Sequence, residues 1–188
     1  MRSNNVFIEG TRFIFNTNFS GDPKRDPKYG SSERKGNIVI PDPLMARELI
    51  DEGFNVKMTK PRDGEDPEEF VPTYYIVVRL SYRNRDGSLK QWPPKVLFAT
   101  EDTTTELNED TVSCIDYAWI ESVNAVLNKY ENRDGKKSLY IKTLEVVQRV
   151  EDDPILARYK KRESDAKVQD EPEDSVHFNP ENEEDIPF

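Results

Sequence analysis

Aromatic rings interleaved with lysine and arginine are the residues of this sequence best suited to a function. Between residues 129 and 142 they are Lys129, Tyr130, Lys136, Lys137, Tyr140 and Lys142. A ring can stack on any nucleic-acid base while cations follow the phosphates, and each stacked base contributes about 1–3 kcal/mol without demanding a sequence. The pattern predicts a binding surface for a single strand. The alternative is that Tyr140 packs in the core and the lysines keep an exposed hairpin soluble.

Two further sets have the same composition. On the outward face of a strand predicted at 73–82 lie Tyr75, Arg79 and Arg83, and Trp92 follows in the next loop, where it could instead plug the core. The long loop from residue 16 to 36 holds Phe19, Lys24, Arg25, Lys28, Tyr29, Arg34 and Lys35. Such a loop could close over a nucleic-acid strand, or it could simply be solvated.

The residues that most hydrolases need are missing. The one histidine, His177, lies in the acidic C-terminal segment, so a histidine base, a Ser-His-Asp triad and a His-ligated metal lack their residue. One cysteine, Cys114, excludes an internal disulfide and a multi-cysteine zinc site. Asp116, Glu121 and Glu145 could form a carboxylate metal site, but among 37 acids such triplets arise by chance. We therefore predict no enzyme, no cofactor and no metal.

The C-terminal segment has the composition of a disordered interaction tail. From residue 170 to 188 it carries eight acids and no lysine or arginine, and it ends in an apolar tip. The Phe188 ring can fill a pocket and Pro187 limits the conformations lost on docking, while the carboxylates suit a basic rim. We therefore predict that Asp185, Ile186, Pro187 and Phe188 bind partner proteins. The alternative is a solubilising tail without a partner.

The net charge of −10 describes this tail more than the rest of the chain. The first 169 residues hold 29 acids and 27 bases, a balance of −2. That balance does not suit a duplex-DNA binder, but a single-strand binder needs only a local basic groove. The sequence shows neither a signal peptide nor an apolar run long enough for a bilayer, so we expect a protein of the cytoplasm.

Strand patterns dominate the elements. A long strand is expected at 6–15 with a bulge or bend at Gly10, and short ones at 37–40, 55–58 and 96–98. A helix should start at Asp42-Pro43 and stop at Gly53. Asp134-Gly135 predicts a hairpin between strands at 119–130 and 136–147, and a helical turn is expected from residue 108.

These elements favour a mainly β fold. We predict a Greek-key barrel of the oligonucleotide-binding type with a short helix, long loops and a disordered acidic C-terminal tail, although a sandwich fits the periodicity equally well. The predicted domains are a DNA-binding barrel over residues 1–160 and the tail with its protein-binding tip over residues 161–188.

Two resemblances point the same way. The ending Asp185-Ile186-Pro187-Phe188, after Glu183 and Glu184, resembles the tip of bacterial single-stranded DNA-binding proteins, which recruits replication and repair enzymes. Four segments of the body, at 15–21, 37–42, 53–57 and 136–142, look like a family of tailed-phage single-stranded DNA-binding proteins with an oligonucleotide-binding barrel. Residues 129–132, Lys-Tyr-Glu-Asn, lack the Pro-Tyr-x-Trp run expected of that family. Lys57, which ends one matching segment, joins the predicted DNA-binding residues.

These observations lead to a hypothesis. The chain is expected to be a non-enzymatic, sequence-tolerant single-stranded DNA-binding protein that coats DNA in phage replication, recombination or repair inside the bacterial host cell and recruits partners through its tail. The sequence also allows a homo-oligomer or a cooperative assembly on DNA. The alternatives are an interaction adaptor or DNA-mimicking inhibitor of a host factor and, third, a carboxylate-metal nuclease.

Overall fold

The longest strands, β8 (Ile120–Glu131) and β9 (Lys137–Gln148), form an antiparallel hairpin. The computed structural model describes residues 4–149 apart from residues 27, 65 and 67. In the turn of the hairpin, Oδ1 of Asn132 accepts hydrogen bonds from the backbone N–H groups of Asp134 (3.0 Å) and Lys136 (2.7 Å). Gly135 has a φ of 76°, which glycine adopts without a steric penalty. The hairpin predicted from Asp134-Gly135 is confirmed.

The other elements precede this hairpin. In chain order they are β1 (Asn5–Thr11), β2 (Phe13–Asn18), a 3-10 turn (Pro23–Arg25), β3 (Lys35–Ile40), α1 (Pro43–Asp51), β4 (Lys57–Met58), β5 (Tyr74–Arg79), β6 (Lys95–Ala99), β7 (Thr104–Leu107) and a 3-10 helix (Val112–Tyr117). The mainly β fold is confirmed. The sequence pattern did not indicate β7, and the helical turn expected from residue 108 begins at Val112 instead.

The strands form a barrel. Its first and last strands in the hydrogen-bonded path, β1 and β2, are consecutive in the chain and therefore bring the two edges of the sheet together. The hydrogen-bonded path runs β1-β8-β9-β5-β3-β2, so its two ends are separated only by Arg12. At this junction the N–H of Val39 donates to the carbonyl of Arg12 (3.0 Å), and the Thr11 hydroxyl donates to the carbonyl of Val39 (2.7 Å). With β1 and β2 counted as one bent strand, the path is the five-stranded Greek-key barrel of the oligonucleotide-binding type that the sequence predicted.

The bend in the first strand lies at Gly10, as predicted. Its φ is 59°, the pairing of β1 with β8 shifts between Ile8 and Thr11, and its N–H donates to Oδ1 of Asn124 (2.7 Å). The strand expected over 6–15 is therefore divided into β1 and β2. This division lets one stretch of chain pair with β8 on one side and with β3 on the other.

Helix α1 begins and ends where the sequence indicated. The side chain of Asp42 accepts a hydrogen bond from the N–H of Leu44 (2.9 Å), and Pro43 occupies the first turn, where its missing N–H costs nothing. Ala46 and Leu49 face the core, and Gly53 follows the helix with a φ of 89°.

The predicted alternation of β5 is also confirmed. Ile76 and Val78 are buried in the core, whereas Tyr75, Val77 and Arg79 lie half-exposed on the other face. The outward face of β5 is therefore partly accessible to solvent. The acidic tail predicted at 161–188, with His177 and the tip residues 185–188, lies outside the described residues. Among the described residues, none of the helices is long and apolar enough to cross a membrane.

Tyr82 gives a prediction for stability. Its side chain is buried, and its hydroxyl has no hydrogen-bond partner among the described residues. Burial raises its pKa from 10.0 to about 12, so the folded state favours the neutral phenol. Stability should be intact below pH 10 and should fall as the pH rises from 10 through 12.

We expect Tyr82→Phe to stabilise the protein by about 1 kcal/mol at pH 7, because it removes an unpaired buried hydroxyl. It should also reduce the loss of stability between pH 10 and 12. Thermal unfolding at pH 7 and pH 11 measures both effects. A lower melting temperature at pH 7 would mean that the hydroxyl has a stabilising partner.

Candidate nucleic-acid interface

A groove crosses the outward face of β3 and β5. Loop 19–34 borders it on one side and the hairpin turn, residues 132–136, on the other. Among the residues that line it are six that the sequence predicted to bind DNA: Tyr29, Lys35, Lys57, Arg79, Lys136 and Lys137. They come from five separate segments of the chain, so the fold is what brings them together.

Strand register builds the floor of this groove. Lys35 on β3 pairs with Arg79 on β5, and Arg79 pairs in turn with Tyr140 on β9. Paired residues on adjacent strands point to the same face of a sheet. The three side chains therefore form one row across three strands, with two cations beside a ring.

The groove carries an excess of positive charge. Five cations line it against two carboxylates, those of Asp26 and Glu33. Both carboxylates come from loop 19–34 and are already paired: Asp26 with the ammonium of Lys35 (2.6 Å) and Glu33 with the guanidinium of Arg79. The charges of Lys35 and Arg79 are therefore balanced by carboxylates of this loop.

Lys57 and Lys136 are the cations most available to a ligand. Both are exposed, and neither ammonium has a carboxylate partner in the part of the chain that the structure describes. The ammonium of Lys137, by contrast, donates to the carbonyl of Glu52 (2.6 Å) and lies 3.7 Å from the carboxylate of Glu131.

A pair of tyrosines extends the row beyond the groove. The rings of Tyr130 and Tyr140 meet edge to face with centroids 5.6 Å apart. Arg85 donates to the Tyr130 hydroxyl (3.3 Å), and the ammonium of Lys90 lies 5.7 Å from the centre of the Tyr140 ring. Partial burial lowers the pKa of Lys90. The alternative that Tyr140 packs in the core is wrong, because its ring lies half-exposed on the outward face.

A second aromatic pair was missed by the sequence patterns. The Phe15 ring meets the ring of Tyr75 edge to face at 5.3 Å, and 64% of Phe15 is exposed. Tyr75 is paired with Lys57, so this pair lies beside the groove. Phe15 has a φ of 62°, the only positive φ outside glycine among the described residues. An exposed aromatic in an apparent strand was the available signal, but alternation alone does not reveal a left-handed residue.

Three residues of loop 19–34 that were predicted to bind DNA have structural roles. Phe19 is fully buried and lies against Phe13, so it cannot stack on a base. Arg34 donates to the carbonyl of Phe19 (2.7 Å), and Arg25 donates to the carbonyls of Thr17 (3.0 Å) and Asp116 (2.9 Å). The composition of the loop did not indicate these contacts, by which the three side chains hold the loop against the barrel.

The remaining predicted residues lie outside the groove. The ammonium of Lys129 is bound by the carboxylate of Glu52 (2.7 Å). Tyr75 flanks the groove as described. The side chains of four others are exposed elsewhere on the surface: Lys24, Lys28, Trp92 and Lys142. For Trp92, 83% exposure means that it does not plug the core.

Asp116 is a structural anchor. Its carboxylate is fully buried and accepts hydrogen bonds from the Thr17 hydroxyl (2.8 Å) and from the N–H groups of Phe19 (2.7 Å) and Ser20 (2.8 Å), with Arg25 3.6 Å away. Within residues 4–149 as described, no cluster of three or more acids, histidines or cysteines could hold a metal ion. Asp116, Glu121 and Glu145, which the sequence left as a possible metal site, therefore do not form one among the described residues.

A protein-family model matches nearly the whole chain. Residues 1–186 match the family model described as "Putative phage ssDNA-binding domain". A search of curated proteins found no match.

Among the solved structures that are similar to this chain are the following three. The single-stranded DNA-binding protein from bacteriophage Enc34 shares 16% identity, covering 80% of this chain and 84% of that one, with a TM-score of 0.42. Its C-terminal truncation shares 14% identity, covering 80% and 87%, with a TM-score of 0.42. The structure of gp2.5, a single-stranded DNA-binding protein encoded by bacteriophage T7, shares 15% identity, covering 78% of this chain and 87% of that one, with a TM-score of 0.39.

Proposed function

The chain belongs to the phage single-stranded DNA-binding domain family, and from this premise we propose that it binds single-stranded DNA along the groove across β3 and β5. The observation that carries the proposal is the meeting of five cations with exposed aromatic rings on this one face. In barrels of the oligonucleotide-binding type, the second and third strands and the two bordering loops are where oligonucleotides bind. Here those strands are β3 and β5.

The arrangement favours binding that tolerates any sequence. Lysine and arginine side chains recognise phosphates, which carry no sequence information, and rings stack on any base. The proposed role is non-enzymatic: the protein coats single-stranded DNA during phage replication or recombination.

A titration of fluorescently labelled oligo-dT tests the proposal. If three to five of the groove cations contact phosphates, the slope of log affinity against log salt should be about −2 to −3.5. Duplex DNA of equal length should bind much more weakly. An absence of binding at low salt, or equal affinity for duplex, would contradict the proposal.

We further propose that the segment Asp185–Phe188 recruits replication or repair proteins. The support is its composition, in which an apolar Ile-Pro-Phe run follows four acids within the preceding five residues. An aromatic ring in a pocket is a common anchor of protein interfaces, and a basic rim on the partner would complement the acids.

Deleting Phe188 alone should abolish pull-down of replication or repair proteins from host lysate and leave oligo-dT affinity unchanged. A Ser175→Ala variant serves as the control, because Ser175 lies outside the segment Asp185–Phe188, and it should retain the partners. If the protein that lacks Phe188 retains every partner, the Phe188 ring is not the anchor and the segment contributes only its negative charge.

A further inference from the structure

Phe15 stands out among the exposed residues because its backbone is strained and its ring is not buried. Its φ of 62° lies in the left-handed region, which bulky L-residues rarely adopt, and 64% of the residue is exposed. The pairing of β2 with β3 is irregular between Ile14 and Asn18, so this residue lies within a bulge. Glycine or asparagine would adopt this conformation more easily.

The conformation places the ring beside the groove, against Tyr75. Phe15 meets Tyr75 edge to face at 5.3 Å, and Tyr75 is paired with Val39 on one side and Lys57 on the other. The available ammonium of Lys57 thus belongs to the residue next to the aromatic pair. A nucleotide offers a flat base and a phosphate to such a combination of ring and cation.

Core packing does not explain why an aromatic ring is present at position 15. Phe15 is not one of the core residues or of the partly buried residues packed against them. Strained backbone of this kind persists where the surrounding structure enforces it, and it is concentrated at ligand-binding sites.

We propose that Phe15 and Tyr75 form a stacking site for one base of single-stranded DNA, with Lys57 contacting the adjacent phosphate. This inference rests on the proposed function and adds a specific site to it. The bulge between β2 and β3 positions the Phe15 ring, and the edge contact with Tyr75 holds it at the rim of the groove.

The variant Phe15→Gly separates binding from stability. Glycine accepts the left-handed conformation, so the melting temperature should be unchanged or higher. Affinity for oligo-dT should fall about 5- to 150-fold, because one stacked base is lost. Phe15→Tyr should restore most of the affinity, since it keeps an aromatic face.

Phe7→Ala is the matched control. Phe7 is 56% exposed on β1 and is not part of the groove. The Phe7→Ala variant should bind oligo-dT with the affinity of the wild type. An equal loss of affinity in Phe7→Ala and Phe15→Gly would contradict a specific site at Phe15.

Photocrosslinking of the wild-type protein is independent of any substitution. Oligo-dT carrying 5-iodouracil should give, after irradiation and mass spectrometry, adducts at Phe15 or Tyr75. If the wild type binds oligo-dT but Phe15→Gly binds equally well, or the adducts lie elsewhere, the stacking site is wrong and the proposed function stands. If the wild type does not bind, the proposed function itself fails.

Discussion

Substituting glutamate for both Lys57 and Lys136 is expected to lower the affinity for oligo-dT about 100-fold at 0.1 M salt. Both ammonium groups line the groove without a carboxylate partner among the described residues, so they are available to phosphates. Each lost contact also removes the release of a counterion, and the double variant should reduce the slope of log affinity against log salt by about 1.4. Fluorescence anisotropy across a salt series measures both quantities.

The matched control is Arg47→Glu with Lys95→Glu. It changes the net charge by the same amount at two exposed positions outside the groove, on α1 and β6. This control should lower affinity only slightly at 0.1 M salt, where charges more than about 10 Å away are largely screened. Equal losses of affinity in the two double variants would mean that affinity depends on the overall charge of the protein and that DNA does not bind specifically in the groove.

Asp116→Ala is expected to destabilise the protein by about 3 kcal/mol, because it leaves several groups without the acceptor that now satisfies them. These are the Thr17 hydroxyl, the N–H groups of Phe19 and Ser20, and the nearby guanidinium of Arg25. In a domain of this size the melting temperature should fall by roughly 6–12 °C. Thermal unfolding followed by circular dichroism measures the change.

Asp116→Asn separates the hydrogen bonds from the charge. Its amide oxygen can still accept from Thr17 and Phe19, whereas its NH₂ group faces the N–H of Ser20 where Oδ2 now accepts. The loss of stability should be smaller than for alanine. Because Asp116 anchors the start of loop 19–34, both variants should also weaken oligo-dT binding in the folded protein. Unchanged stability in Asp116→Ala would contradict the anchoring role.

Local patterns were sufficient to predict most elements. The Asp134-Gly135 hairpin, the Asp42-Pro43 helix start and the bend at Gly10 each depend on residues that are near in sequence, and all three are present. The alternation in β5 likewise separated its core face from its outward face. These features follow from the conformational preferences of a few consecutive residues.

Contacts between distant residues could not be predicted in this way. Lys129 is neutralised by Glu52, which is 77 residues away, and Arg25 bonds to the carbonyl of Asp116, 91 residues away. Composition could not reveal either contact, because it does not show which carboxylate or carbonyl will meet a given cation. Phe19 was assigned for its aromatic ring, but the fold places that ring in the core.

The groove residues were predicted individually but not as a group. Tyr29, Lys35, Lys57, Arg79, Lys136 and Lys137 meet only because the barrel aligns β3, β5 and the hairpin turn. Phe15 escaped prediction because its role depends on a backbone conformation that residue type does not favour.

A titration of ¹⁵N-labelled protein with unlabelled oligo-dT, followed by NMR of the backbone amides, tests the central claim most directly. The claim predicts that the largest shift changes occur in β3, β5, loop 19–34 and the hairpin turn at 132–136, with Phe15 and Lys57 among the affected residues. Changes concentrated instead around the cleft lined by Pro41, Val71 and Tyr74, with the groove residues unaffected, would contradict it.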